Sequence, residues 1–220
     1  MLTEDYLLKL LKPLAYVVPR LLSLRKDAHY DDALTLIQQT GQQLTGLDPA
    51  LISALSAQSL TELLAADSPV GAAQCLGLAT LFYEQGKIYE AQSKWAEADT
   101  AYFNALYLFL RVLPNSDHSV IDENKPLVDD LVFKLKGSAL PEAIRYNLFH
   151  FYAGIGAYAY AEDTLFDLIE LVEQTGSAKA VITDGIAFYQ TLKEKSDAEL
   201  IAGDLPRDEV EQGLQDLLDL

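Results

Sequence analysis

One short pattern recurs three times in this chain and restricts its fold more than any other feature. A small or polar residue is followed, two positions on, by an aromatic and, three further on, by Ala. The copies are Ala28-His29-Tyr30-Asp31-Asp32-Ala33, Ser93-Lys94-Trp95-Ala96-Glu97-Ala98 and Gly156-Ala157-Tyr158-Ala159-Tyr160-Ala161. Their aromatics lie 65 and 63 residues apart. The first position allows a tight turn between antiparallel helices. The aromatic is expected to fill the wedge at that turn, and Ala at the fourth helical position lets two backbones approach closely.

Helical periodicity extends through almost all of the 220 residues. Thr3 is placed to cap a first helix, with Glu4 and Asp5 against its dipole. Leu7, Leu10, Leu11, Leu14, Val17, Val18, Leu21 and Leu22 form its apolar face, and Pro13 and Pro19 should kink or divide it. Further helices are predicted over 30–44, 49–55 and 60–66, the last with a capping box, Ser59-Leu60-Thr61-Glu62. Others follow from Ser68-Pro69 to about 92, over 95–113, from near Asn124 to Gly137, and from Pro141 to Ile155. The remainder cover 158–175 (closed by Gly176), 179–195, a segment behind the box Ser196-Asp197-Ala198-Glu199, and one beginning at Pro206. No strand alternation is visible. The expected fold is all-α, with about nine to eleven helices in a single domain over 1–220. The Pro114-Asn115-Ser116-Asp117 loop is the candidate for an internal boundary, near 114–119.

The repeated turn resembles that of the tetratricopeptide (TPR) repeat, a helical hairpin. The middle copy fits best: Gly86, Tyr89, Trp95, Ala98, Tyr102 and Ala105 stand in register. In the third copy Leu148, Tyr152, Gly156, Tyr158 and Ala161 fit, while Leu165 and Leu168 replace the usual aromatic and Ala. In the first, Tyr30, Ala33 and Ile37 fit. The closing Pro is displaced to Pro114, and the wide period separates the hairpins by extra helices. This implies an irregular TPR-like helical-hairpin bundle rather than a uniform solenoid.

The whole chain also resembles an uncharacterised bacterial family of TPR-like proteins, a domain of unknown function. The stretches that carry this are His29-Tyr30-Asp31-Asp32-Ala33-Leu34, 156–166, and Gly203-Asp204-Leu205-Pro206-Arg207-Asp208-Glu209-Val210. The resemblance implies an all-helical bacterial protein and supplies no activity.

Charge narrows the range of partners. The formal net charge is −17. Residues 1–120 hold 8 basic and 13 acidic side chains, whereas residues 121–220 hold 8 and 20. A phosphate backbone or an anionic membrane needs clustered Lys and Arg, so neither is an expected partner. A charged partner is expected to be basic and to favour the second half. With an acidic start, a single Cys and no uninterrupted apolar span, the cytoplasm is the expected compartment.

Few residues point to chemistry. Cys75 has no Cys-x-x-Cys partner and reads as a buried, inert thiol. His29, His118 and His150 lack zinc-site spacing, although His29 with Asp31 and Asp32 could contribute to a weak metal site. The pairs Asp129-Asp130 and Glu162-Asp163 sit side by side on helices, where neighbours diverge by about 100°, so they are not expected to converge on one substrate. Glu162 and Asp163 read instead as complements to a helix N-terminus. Phosphate loops and nucleophile elbows are lacking in the sequence. No catalytic, cofactor or metal residues are therefore assigned.

The one surface with a binding character is the expected inner face of the hairpins. Tyr83, Lys87 and Glu90 would face inward from the middle copy, and Tyr146 and His150 from the third. Tyr supplies rigid contact area, and Lys or His can hold a carboxylate. The competing structural reading has these residues facing solvent or packing on the inserted helices. The acidic segment 196–220 carries an apolar stripe, Leu200, Ile201, Leu205, Val210, Leu214, Leu217 and Leu218, and is expected to dock on the body. The leading expectation is a non-enzymatic protein-interaction module that binds an unknown protein or peptide and can form a homodimer. The alternative is a peptide or small-molecule sensor using the aromatic-lined face.

Overall fold

The computed structural model describes residues 11–173 and 178–220. Among these residues the chain is all-α, with twelve α-helices and no strand, one or more above the expected nine to eleven. The expected Thr3 cap with Glu4 and Asp5, and Gly176 as terminator, lie outside the described residues. Packing divides the chain into two compact units, Met1–Ala139 and Leu140–Leu220. The Pro114 loop, weighed as a boundary, lies inside the first.

In the first unit α1 (Leu14–Lys26) and α2 (Tyr30–Thr45) form a hairpin. Two short helices follow, α3 (Pro49–Ala54) and α4 (Ala57–Leu63). The cap of α4 is Ser56, whose Oγ accepts from the Ser59 N–H at 3.1 Å, rather than the expected Ser59. Starting at Ser56 adds a turn that buries Ala57 beside Leu60 and Thr61. Next come the long helices α5 (Pro69–Ala91) and α6 (Trp95–Val112), then a 3-10 turn at Leu113–Asn115 and α7 (His118–Lys134), which continues through Pro126. Helix α5 is the centre of this unit, packed by α1, α2, α4 and α6. That position explains why its buried residues, among them Cys75, Leu78, Leu81, Phe82 and Ile88, lie on several sides of the helix.

The second unit contains the hairpin α8 (Glu142–Gly154) and α9 (Tyr158–Glu173), then α10 (Ala178–Lys193), α11 (Asp197–Ala202) and α12 (Arg207–Leu218). Helix α10 packs on α9 and α12. The acidic C-terminal segment is docked, with Leu200, Leu205, Val210 and Leu217 buried. Gly213 makes this docking possible: a Cβ there would stand 2.3 Å from the Tyr189 hydroxyl oxygen. Both halves of the Ser196–Glu199 capping box form.

The three repeated turns share one backbone geometry. Ala28, Ser93 and Gly156 all take the left-handed conformation, at φ 58°, 59° and 78°. In each, the next N–H reaches back five residues: His29 to Leu24, Lys94 to Tyr89, and Ala157 to Tyr152, at 2.8–3.0 Å. These bonds satisfy helix-end carbonyls in the manner of a Schellman cap. Ala33, Ala98 and Ala161 are buried, as close helix approach requires. The aromatic position behaves unevenly. Tyr158 is buried, whereas Trp95 is 62% exposed and fills no wedge. Two further turns, at Ala65 (φ 53°) and Asp204 (φ 57°), have the same bond, from Ala66 to Thr61 and from Leu205 to Leu200, without the sequence pattern.

Candidate functional site

The strongest candidate in the first unit is an open cleft of about 570 Å³ between α1, α5 and α7. Tyr83, Lys87 and Glu90 stand on its α5 wall, spaced at one helical turn. Arg25 and Lys26 enter from the last turn of α1, and Asp130 and Lys134 from α7. Four cations thus border the cleft in a strongly acidic chain.

Most of these groups are fixed by one another. The Tyr83 hydroxyl donates to Asp130 Oδ2 at 2.7 Å, and Lys87 Nζ lies 4.5 Å from the Tyr83 ring centroid. Lys87 also contacts the buried Glu84 at 2.6 Å. Glu90 Oε2 accepts from Lys134 Nζ at 2.8 Å and from the Tyr102 hydroxyl at 2.7 Å. Burial works to raise the Glu90 pKa, but these two hydrogen bonds and the nearby Lys134 and Arg25 charges outweigh it and hold the carboxyl below its usual range. Burial and the acceptor carboxylates push the Tyr83 and Tyr102 hydroxyls well above ordinary tyrosine, so both remain protonated donors. Arg25 differs: its guanidinium makes no hydrogen bond or ion pair with any described residue, while its backbone carbonyl accepts from the Ala28 N–H.

Tyr146 and His150 belong to the second unit and form a separate pair. Their rings meet edge-on at 4.5 Å, and the Tyr146 hydroxyl donates to Asp184 at 2.7 Å. That bond, with burial, raises the Tyr146 pKa. His150 remains exposed, yet neighbouring protein desolvates it enough to lower its pKa against the opposing Asp184 carboxylate.

A second cleft, about 680 Å³, lies in this unit between α9 and α12. Its carboxylates are Glu162, Asp163, Asp167, Glu209 and Asp216. Glu162 and Asp163 therefore border one groove despite pointing in different directions. They sit in the second turn of α9, too far along to cap its N-terminus as expected. Glu162 accepts from the buried Tyr189 at 2.5 Å. Burial raises its pKa and the Tyr189 bond opposes this, while the charges of Glu209, Asp163 and Asp216 add to the rise.

Cys75 is buried and its thiol is pushed up to about 11 by burial. His29 contacts Asp32 at 3.2 Å on an exposed surface. Among the described residues no three His, Cys, Asp or Glu side chains converge as metal ligands. No helix among them is long and apolar enough to cross a membrane.

The cleft brings the sequence-predicted Tyr83, Lys87 and Glu90 together with Arg25, Lys26, Asp130 and Lys134, none of which was expected from the sequence. Only tertiary packing unites those positions, and no local spacing marks them.

These features define an all-helical protein of antiparallel hairpins with a charged cleft in its first unit. The chain belongs to a family of unknown function (DUF6483), whose model matches residues 1–220. No curated protein and no solved structure matches it.

Proposed function

We propose that this chain is a non-enzymatic, TPR-like protein-interaction module of the bacterial cytoplasm, with the cleft of the first unit as its contact face. One observation carries the reading. Three residues singled out for partner binding, Tyr83, Lys87 and Glu90, border the same open cleft. The shared left-handed turns at Ala28, Ser93 and Gly156 support the TPR-like part. The sequence resemblance supports the bacterial, cytoplasmic part. The volume falls within the range of small-ligand sites, so the cleft also accommodates the sensor alternative. Tyr146 contributes less to either reading, because its hydroxyl is already engaged by Asp184.

The partner's charge follows from the local surface rather than the total. The carboxylates of the second cleft favour a basic partner there. The decisive experiment is selection from a random peptide library displayed on phage, against the full chain, at low and physiological salt. Peptides that bind reproducibly support the module. An unenriched library at both salts contradicts it.

A further inference from the structure

Within the first cleft the charges are not equivalent. Lys87 is matched by Glu84, and Lys134 by Glu90. Asp130 receives a neutral hydroxyl from Tyr83. Arg25 alone presents a half-buried guanidinium to the cleft with no carboxylate at ion-pair distance among the described residues, although its charge reaches Glu90, and the exposed Lys26 stands next to it. A guanidinium is a planar fork of donors suited to an oxyanion, and donors left without acceptors favour a ligand that supplies them. The overall negative charge does not prevent this, because exposed charges beyond about 8 Å are largely screened at physiological salt. We infer that this cleft binds a carboxylate of an acidic peptide, held by Arg25 with Lys26 beside it; the inference rests on the interaction-module reading.

Peptide chemistry follows from the walls. The ammonium groups of Lys87 and Lys134 and the carboxylates of Glu90 and Asp130 offer both donors and acceptors to a peptide backbone. The cleft is also open, which allows a chain to enter and leave.

The test is titration of the full chain with four probes: N-acetylated, C-amidated hexaglutamate; its hexaglutamine counterpart; N-acetylated hexaalanine with a free carboxylate; and the same peptide amidated. Binding of hexaglutamate or of the free-acid peptide, weakened roughly tenfold or more by Arg25→Gln, is the expected result. Hexaglutamate alone identifies a side-chain carboxylate as the ligand group, and the free-acid peptide alone identifies a chain terminus. Lys26→Gln, at an exposed position, should weaken binding by a smaller factor and serves as a second variant if Arg25→Gln fails to fold by circular dichroism. Binding of none of the four probes overturns the assignment, as does binding undiminished in the folded variants. Library-selected peptides that bind the chain while none of the four probes does overturn it and leave the interaction module standing. A library that yields no binder removes both.

Discussion

The Tyr102 hydroxyl donates to Glu90 across the α5–α6 hairpin, at 2.7 Å. Gly86, one turn before Glu90, makes room for the Tyr102 ring: a Cβ at 86 would lie 2.3 Å from its Cε1. Core packing and the binding cleft therefore share one tyrosine. Gly86→Ala is expected to destabilise the fold by about 1–3 kcal/mol, because the buried ring has little room to shift. Tyr102→Phe should cost about 1 kcal/mol. Urea denaturation of the three chains checks both.

Ala28 and Ser93 occupy a backbone conformation that suits glycine better. Ser93→Gly should therefore stabilise the chain by up to about 1 kcal/mol, and Gly156→Ala should destabilise it by about the same amount. Opposite shifts in thermal midpoint are the signature. A loss of stability in Ser93→Gly would show that the serine side chain contributes more than the turn strain removes.

Two carboxyls give opposite pH dependences. Glu90 is held below its usual pKa, so its contribution is present above the unfolded value and lost as pH falls through the folded one. Glu162 is held above its usual pKa, so the folded chain binds its proton more tightly than the unfolded chain. Its contribution is greatest in acid and is lost as pH rises from the usual carboxylate range through the raised value. Glu162→Gln keeps an acceptor for Tyr189 and removes the repulsion, so it should raise stability at neutral pH. Glu90→Gln should lower stability at neutral pH and reduce the loss on acidification. Denaturation from about pH 2 to 8 separates the two.

Much of this architecture is legible locally. The Ser68, Ser196 and Gly46 caps act through bonds within a few residues of themselves, so their identities announce helix ends. The helix expected from near Asn124 begins earlier, at His118, and so carries Pro126 in its interior, where the packing of Val128 and Leu131 outweighs its local cost. Trp95 occupies the repeated aromatic position but projects outward, since periodicity places a residue on a helix without fixing what covers it. The cleft is half legible for the same reason. Tyr83, Lys87 and Glu90 share a helical face, but Arg25 and Lys134 join them only through tertiary packing.

Arg207 is a second product of tertiary packing. Its Nε contacts Asp197 at 2.5 Å, and its terminal nitrogens donate to the Lys193 and Lys195 carbonyls at 3.3 and 2.6 Å. It joins the start of α12 to the end of α10. Arg207→Ala should cost about 1–3 kcal/mol. Arg207→Lys should recover only part of this, because a point ammonium cannot span all three acceptors. Thermal unfolding of both variants is the check.

Hydrogen–deuterium exchange of the full chain, with and without a saturating library-selected peptide, tests the central proposal most directly. Protection should rise in segments containing Arg25 and Lys26, Tyr83 to Ala91, and Asp130 to Lys134. Protection confined to residues 140–220, with those segments unchanged, would contradict the assignment of this cleft as the contact face.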